Sequence, residues 1–444
     1  MKKAFVFALV LTGCGTTSPV LQPDVAPPPA YTEQVAGPAI SADWWNRFDS
    51  AELRALVDEA LKGSPDLAIA MERVRQAEAQ VRVAGASLFP GLNFSMDSRA
   101  NKDAESSGAS LSASYELDLW GRNAAGVSAA EAGLRATTYD RESARLTLIS
   151  GVADAYFDVL SLRGRLAVAR ENLAIAERVL AVVEVRRRNG AVSALDVERQ
   201  QAAILSQRAA IPALEQQERQ TLAALAVLLG RVPQGFEVKA TSVEALAIPA
   251  VSPGLPAELL TRRPDLAAAE ASLVAANADL KVARTELLPS IQLTGSAGIA
   301  SSTLLAFASG GTSTVAIAAS LLQPIFDGGR RRAGVTVAES RERELVESYR
   351  KAILAAFADV ENALVATTRL TEREALQVEA ARRSREALRL AEVRYREGAE
   401  DLLSVLDAQR TLFNAEDQVA QARLDRLQAA VALYKALGGG WQES

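Results

Sequence analysis

Cys14 is the one cysteine in a chain of 444 residues, and its setting points to covalent chemistry. It follows Leu11-Thr12-Gly13, and before those lie a short apolar run from Ala4 to Leu11 and two cations, Lys2 and Lys3. That order is the pattern of a lipoprotein leader. The chain is cut on the amino side of the cysteine, and the sulfur takes a lipid. The apolar run is too short to span a bilayer. Gly15 rather than Asp follows the cysteine, which favours the outer over the inner membrane. The competing reading is a chance cysteine behind an ordinary leader.

Other chemistry is bounded by what the sequence lacks. There is no histidine, which removes histidine triads, most zinc sites and the usual near-neutral proton shuttle. A single cysteine leaves no disulfide within the chain and no thiolate cluster. Neither a Gly-Lys phosphate loop nor a Gly-x-Ser-x-Gly elbow occurs. The expectation is therefore no enzyme, no metal, and no cofactor beyond the lipid on Cys14. The net charge of −5, mixed in sign along the chain, gives no reason to expect nucleic acid as a partner.

The elements that must carry any function are set by a duplication. Pro65-Asp66-Leu67 returns as Pro264-Asp265-Leu266, and Leu88-Phe89-Pro90 as Leu287-Leu288-Pro289, both 199 residues on. Gly121-Arg122, Val185-Arg186, Arg188-x-Gly190-Ala191 and Leu229-Gly230 return 208 residues on, the last as Leu437-Gly438. The extra nine residues enter between Pro289 and Gly329, as in a surface loop. Each copy then reads as helix, two short alternating segments, very long helix, glycine turn and returning helix. The helices are expected near 64–89, 121–188 and 192–229, and again near 264–288, 329–397 and 400–437. A helix of about 65 residues is roughly 100 Å long and must pack sideways. Leu146, Ile149, Ala153, Tyr156 and Leu160 have the spacing of such a seam. Pro212 is expected to interrupt and kink the first returning helix. Taken alone, this pattern fits a plain helical bundle or coiled coil.

The alternating segments, near 91–119 and 290–323, point elsewhere. Leu92, Phe94 and Met96 alternate with Asn93, Ser95 and Asp97, and Leu111, Ala113, Tyr115 and Leu117 alternate with Ser110, Ser112, Ser114 and Glu116. Ile291, Leu293, Ala297 and Ile299 repeat the pattern, as less cleanly do Val315, Ile317, Ala319 and Leu321. Period two over about ten residues, one side apolar and the other polar, is the mark of a transmembrane β-strand. Trp120 at a strand end suits a membrane interface. The alternative is a small soluble sheet. Four strands cannot close a membrane barrel, and open edges are excluded from lipid, so the membrane reading demands several chains.

These features together resemble the TolC-like outer-membrane factors, in particular their lipoprotein branch, often labelled NodT-like, which serves resistance-nodulation-division efflux systems. Trp44-Trp45-x-x-Phe48-x-x-x-x-Leu53 resembles the start of that family's mature domain. Asp118-Leu119-Trp120-Gly121-Arg122 and Pro324-Ile325-Phe326-Asp327-Gly328-Gly329-Arg330 resemble its strand-to-helix junctions, and Tyr395-x-x-Gly398 with Leu406-Asp407-Ala408-Gln409 resembles its second periplasmic turn. The resemblance implies a mainly α fold with a membrane β part: a homotrimer with a periplasmic α-helical barrel continuous with a 12-stranded transmembrane β-barrel. The chain then divides into a signal peptide (1–13), a lipidated tether (14–38), a first repeat (39–230), an equatorial linker (231–263), a second repeat (264–438) and a tail (439–444).

The implied function is an exit duct in the outer membrane, joined to a periplasmic adaptor and an inner-membrane pump, passing drugs or other small toxic molecules. Protein secretion and a periplasmic coiled-coil lipoprotein are the alternatives. By the same resemblance Gly190 and Gly398 mark the adaptor-facing turns, and Leu403 and Asp407 the constriction. Threefold symmetry would make Asp407 a cation-favouring ring. Locally, Leu403 reads equally as a seam residue and Asp407 as a solvated helix residue. Glu116 and Asp118 are placed on the lumenal face, where they would tune ion preference or simply be solvated.

Overall fold

The computed structural model describes residues 20–33, 35–100, 105–302 and 311–442; the expectations for the leader and for Cys14 lie outside these residues. The described chain falls into two units.

The first unit is built chiefly from Arg75–Ala136 and Ala269–Arg350. Its centre is an antiparallel sheet of β1 (Gly91–Ala100), β2 (Glu105–Leu117), β3 (Ser290–Ser301) and β4 (Thr312–Leu322), in that spatial order. The register explains the alternation. Phe94 pairs with Leu111, Leu111 with Ala297 and Ala297 with Val315, so one apolar row crosses all four strands. The next row runs Ser95, Ser110, Gly298, Thr314. One face is therefore hydrocarbon and the other hydroxyl, with Ser95 and Ser110 hydrogen-bonded at 2.8 Å. Val315 and Ile317 are 79% and 88% exposed, surface that water alone would not tolerate in such a continuous band.

The strands are flanked by α2 (Pro65–Ala86), α3 (Arg122–Arg188), α6 (Pro264–Thr285) and α7 (Arg330–Arg396). Carboxylates start the long helices. Asp118 accepts from the amides of Asn123 and Ala124 at 3.0 and 2.8 Å, and Asp327 from those of Gly329 and Arg331 at 3.1 and 3.3 Å. The lumenal ion-tuning role considered for Asp118 therefore gives way to a helix cap. Glu116 is likewise engaged by Arg122 at 2.7 Å. The Trp120 indole donates to the Pro289 carbonyl at 2.6 Å, fastening the junction to the end of the α6 segment.

The second unit comprises Val25–Val74, Thr137–Ala268 and Lys351–Ser444. It holds a 3-10 turn (Trp44–Phe48), α1 (Ala51–Gly63), α4 (Ala194–Leu228), α5 (Pro256–Arg262), α8 (Leu402–Ala436) and the remainder of α3 and α7. The two copies match in length: 22, 67 and 35 residues for α2, α3 and α4, and the same for α6, α7 and α8. α4 runs unbroken through Pro212, because one missing amide costs about 3 kcal/mol and long flanking helix can absorb it.

The seam foreseen on α3 is the core here. Ile149, Ala153, Tyr156 and Leu160 are all buried, and Tyr434 of α8 stacks on Trp44 at 5.0 Å. Phe48 meets Phe157 at 5.0 Å, and Ser50 both caps α1 and bonds the Tyr156 hydroxyl at 3.1 Å. The duplication is visible in the packing too. Gly230 and Gly438, with φ of +75° and +85°, end α4 and α8 against the carbonyls of Gly63 and Arg262, where a Cβ would collide. The linker is fastened: Arg163 donates to the carbonyls of Val238 and Ala240, each at 2.6 Å, and Glu52 accepts from the amides of Lys239 and Ala240. The stretch read as a tether is held at its C-terminal end, where Tyr31 is buried and the Thr32 amide bonds Glu361 at 3.0 Å. No described helix is long and apolar enough to cross a membrane.

Candidate functional site: the paired helical turns

All four residues proposed for the site from the sequence, apart from Cys14, lie in the second unit. α3 ends through Gly190, whose φ of +72° lets the Ala191 amide return to the Arg186 carbonyl at 2.9 Å. α7 ends the same way: Gly398 has φ +78°, and the Ala399 amide reaches the Arg394 carbonyl at 2.9 Å. A glycine there satisfies the last carbonyls of the helix without Cβ strain. The next helices begin on side-chain caps. Ser193 and Asp196 form a reciprocal capping box on α4, and Asp401 caps α8 through the Ser404 amide at 3.0 Å. The Ser404 amide and hydroxyl hold the Asp401 carboxyl below its ordinary range.

The two turns are joined. The Arg186 guanidinium lies 4.5 Å over the ring of Tyr395 and donates to the Tyr395 carbonyl. Arg394, its counterpart in the second copy, instead pairs with Glu400 at 3.1 Å. Beneath the turns lies an apolar cluster from α3, α7 and α8, including Val183, Leu388, Tyr395, Leu402 and Val405. It fixes α3 against α7 at their ends, so the turns form one rigid tip. Burial pushes the Tyr395 phenol up.

Leu403 and Asp407 stand one turn apart on α8, on its exposed side. Leu403 is 51% exposed, which rules out a seam position within this chain. Its neighbours Leu402 and Val405 are the buried ones. Asp407 is exposed and bonded to Arg410 at 2.6 Å, a pair three residues apart on one helix. The residue at Leu403's place in the first copy, Leu195, is 55% exposed. Asp407's counterpart there is Arg199, so the two copies carry opposite charge at this position. The structure thus brings Leu403 and Asp407 to one face near the Gly398 turn, with Gly190 at the turn joined to it through Arg186 and Tyr395. The Arg186–Tyr395 clamp was not foreseen. Its partners are far apart in sequence, and only the shared position of Val185-Arg186 and Val393-Arg394 in the repeat hints at it.

Comparison with known proteins is consistent over nearly the whole chain. The family model described as outer membrane efflux protein matches residues 56–231 and 255–439. The pyoverdine export outer membrane protein OpmQ of Pseudomonas aeruginosa is 43% identical over 98% of this chain and 95% of its own. The outer membrane protein OprJ of the same organism is 34% identical, with 99% and 96% covered. Among solved structures, that of the outer-membrane channel OprN superposes with a TM-score of 0.85 at 29% identity, covering 96% of this chain and 100% of that one.

Proposed function

Because the chain belongs to the outer membrane efflux protein family, the outer-membrane channels of tripartite export systems, we propose that it is a homotrimeric, passive exit duct for small molecules. The channel function and the outer-membrane location are those of the family, as is work alongside a periplasmic adaptor and an inner-membrane pump. The observation that carries the trimeric reading is the four-stranded sheet. It has one hydrocarbon and one hydroxyl face and two open edges, and three copies edge to edge complete a 12-stranded barrel. The hydroxyl face lines water, and the helical unit forms the periplasmic conduit. Passage through such a duct requires no bond-making residue, and selection of cargo falls to the pump.

Within that reading, Leu403 and Asp407 form the periplasmic constriction. Their exposed, adjacent placement beside a rigid turn supports it, and the Arg410 pair means an Asp407 ring would be partly neutralised. The tip around Gly190 and Gly398 meets the adaptor, and Cys14 carries the lipid that adds a second anchor. For cargo, identity to a pyoverdine export protein at 43%, against 34% for OprJ, favours a pyoverdine-type secreted molecule over drugs. A deletion strain tests this directly. Retention of such a molecule inside the cell envelope, restored to the medium by the intact gene, is expected. Normal secretion with new sensitivity to lipophilic antibiotics, dyes and detergents would move the cargo to drugs, and sensitivity to metal salts alone would move it to a metal pump.

A further inference from the structure

A polar recess of about 560 Å³ opens between α3, α4 and α8 in the second unit, away from the helical turns. Asp158 and Ser161 line it from α3, Gln217 and Thr221 from α4, and Gln421 and Gln428 from α8. Such a polar groove amid apolar seams is costly unless every group finds a partner. Two do not. Ser161 is 1% exposed, yet its hydroxyl has no hydrogen-bond partner. Asp154, one turn before Asp158 on the same side of α3, has a buried carboxylate oxygen that is also unpartnered. Asp158 itself accepts one bond, from the Gln428 amide at 3.0 Å.

The charges around these carboxylates do not cancel them. Lys435 of α8 acts on Asp154 only as the weakest of three influences, after burial and Asp158. Arg165 is already held by Asp417 through bonds of 2.6 and 3.2 Å. α4 offers the recess amides and a hydroxyl from Gln217, Gln220 and Thr221, and its Glu215 and Arg219 are not among the lining residues. The recess therefore presents acceptors and hydroxyls without a cation of its own. No group of three or more Asp, Glu, Cys or His among the described residues is placed to hold a metal ion. A donor-rich organic cation fits better, since a primary ammonium offers three N–H donors and one positive charge.

We propose that this recess binds the primary ammonium group of a small organic amine, with Asp158 and Asp154 as the anionic end and Ser161 as a further acceptor. The site requires neither a pump nor a cargo assignment, and it goes beyond the exit-duct reading.

The test is calorimetric titration of the full-length chain in detergent with 1,4-diaminobutane, at pH 8.5 and pH 5.5 and constant ionic strength. Burial raises both carboxyls above the ordinary range, Asp154 to about 7, so the anionic form needed for binding fades as pH falls. Binding at pH 8.5 and at least about tenfold weaker binding at pH 5.5 are expected. Asp158→Asn should weaken it about tenfold or more, and Ser161→Ala by about threefold. Asp407→Asn should change it less than about twofold, which separates the recess from the aperture carboxylate. Tetramethylammonium, charged but without N–H donors, should bind at least about tenfold more weakly. Should Asp158→Asn fail to fold, Ser161→Ala and the wild-type pH comparison still decide. No heat at pH 8.5, equal affinity at both pH values, or loss in Asp407→Asn but not in Asp158→Asn would overturn the proposal. Channel conductance in a planar bilayer, recorded on the same sample, shows separately whether the duct reading stands.

Discussion

Replacing Asp154 by Asn should make the protein more stable, and increasingly so as pH rises. In the folded chain burial raises the Asp154 carboxyl from 3.8 to about 7, with Asp158 adding repulsion and Lys435 offsetting only part. Unfolded, the group returns to its ordinary value. The folded state therefore binds a proton over the window from 3.8 to about 7 that the unfolded state has lost. Stability linked to this group is intact below pH 3.8 and drains away as pH rises through 7. At about 1.36 kcal/mol per unit, a shift of roughly three units corresponds to about 4 kcal/mol once the group is fully ionised. Between pH 5 and pH 8.5 the wild type should lose about 3 kcal/mol that the amide variant keeps. Guanidinium unfolding of detergent-solubilised protein, wild type and Asp154→Asn side by side at both pH values, measures it. A difference between the two proteins that stays constant from pH 5 to pH 8.5 would refute the burial argument, since only titration can make it grow. An amine bound in the recess would mask the effect, so amine-free buffers are required.

Alanine at Gly438 or at Gly230 should cost more than about 2 kcal/mol each, because positive φ and a collision with a backbone carbonyl add together; the mid-point of guanidinium unfolding reads this, and a neutral result would mean the helix ends move freely. Leu403→Ala and Asp407→Ala should raise single-channel conductance, the second also lowering cation preference, and unchanged conductance and selectivity in both would remove the constriction from this part of α8. Arg186→Ala should loosen the tip by about 1–2 kcal/mol through loss of the ring contact and the bond to the Tyr395 carbonyl; protease nicking near Gly190 or Gly398 should then appear first, and equal protection would show that the apolar cluster alone holds the turns. Cys14→Ser should abolish incorporation of labelled palmitate, whereas retained label would place the lipid elsewhere.

How far these features were legible in the sequence depends on the distance between partners. Periodicity reads neighbours on one element, so the α3 seam of Ile149, Ala153, Tyr156 and Leu160 was visible, as were the two faces of the strands. The repeat extended that reach by showing which turns correspond, Gly190 with Gly398 and Gly230 with Gly438. Asp118 was misplaced for a specific reason. It closes an alternating strand and so takes the polar register, yet four residues later a long helix begins and needs its first amides satisfied. The cap signal was present, and the strand pattern overrode it. Pro212 erred in the other direction, since local propensity forecast a break that the surrounding 35-residue helix outweighs.

The tip and the recess show where sequence reading stops. Arg186 meets Tyr395 only because α3 and α7 end side by side, and no spacing within either helix encodes that contact. Asp158 and Ser161 look like ordinary polar interruptions of an apolar stripe until α4 and α8 close over them. A polar residue on the outside of such a helix would cost nothing and imply nothing. The same residue facing two other helices must be satisfied or bear a cost, and the unpartnered Ser161 hydroxyl and Asp154 oxygen bear it. Stability alone would have replaced both by alanine or leucine, as at neighbouring Leu160 and Leu162. Their presence in the core is therefore better explained by an occupant than by the fold.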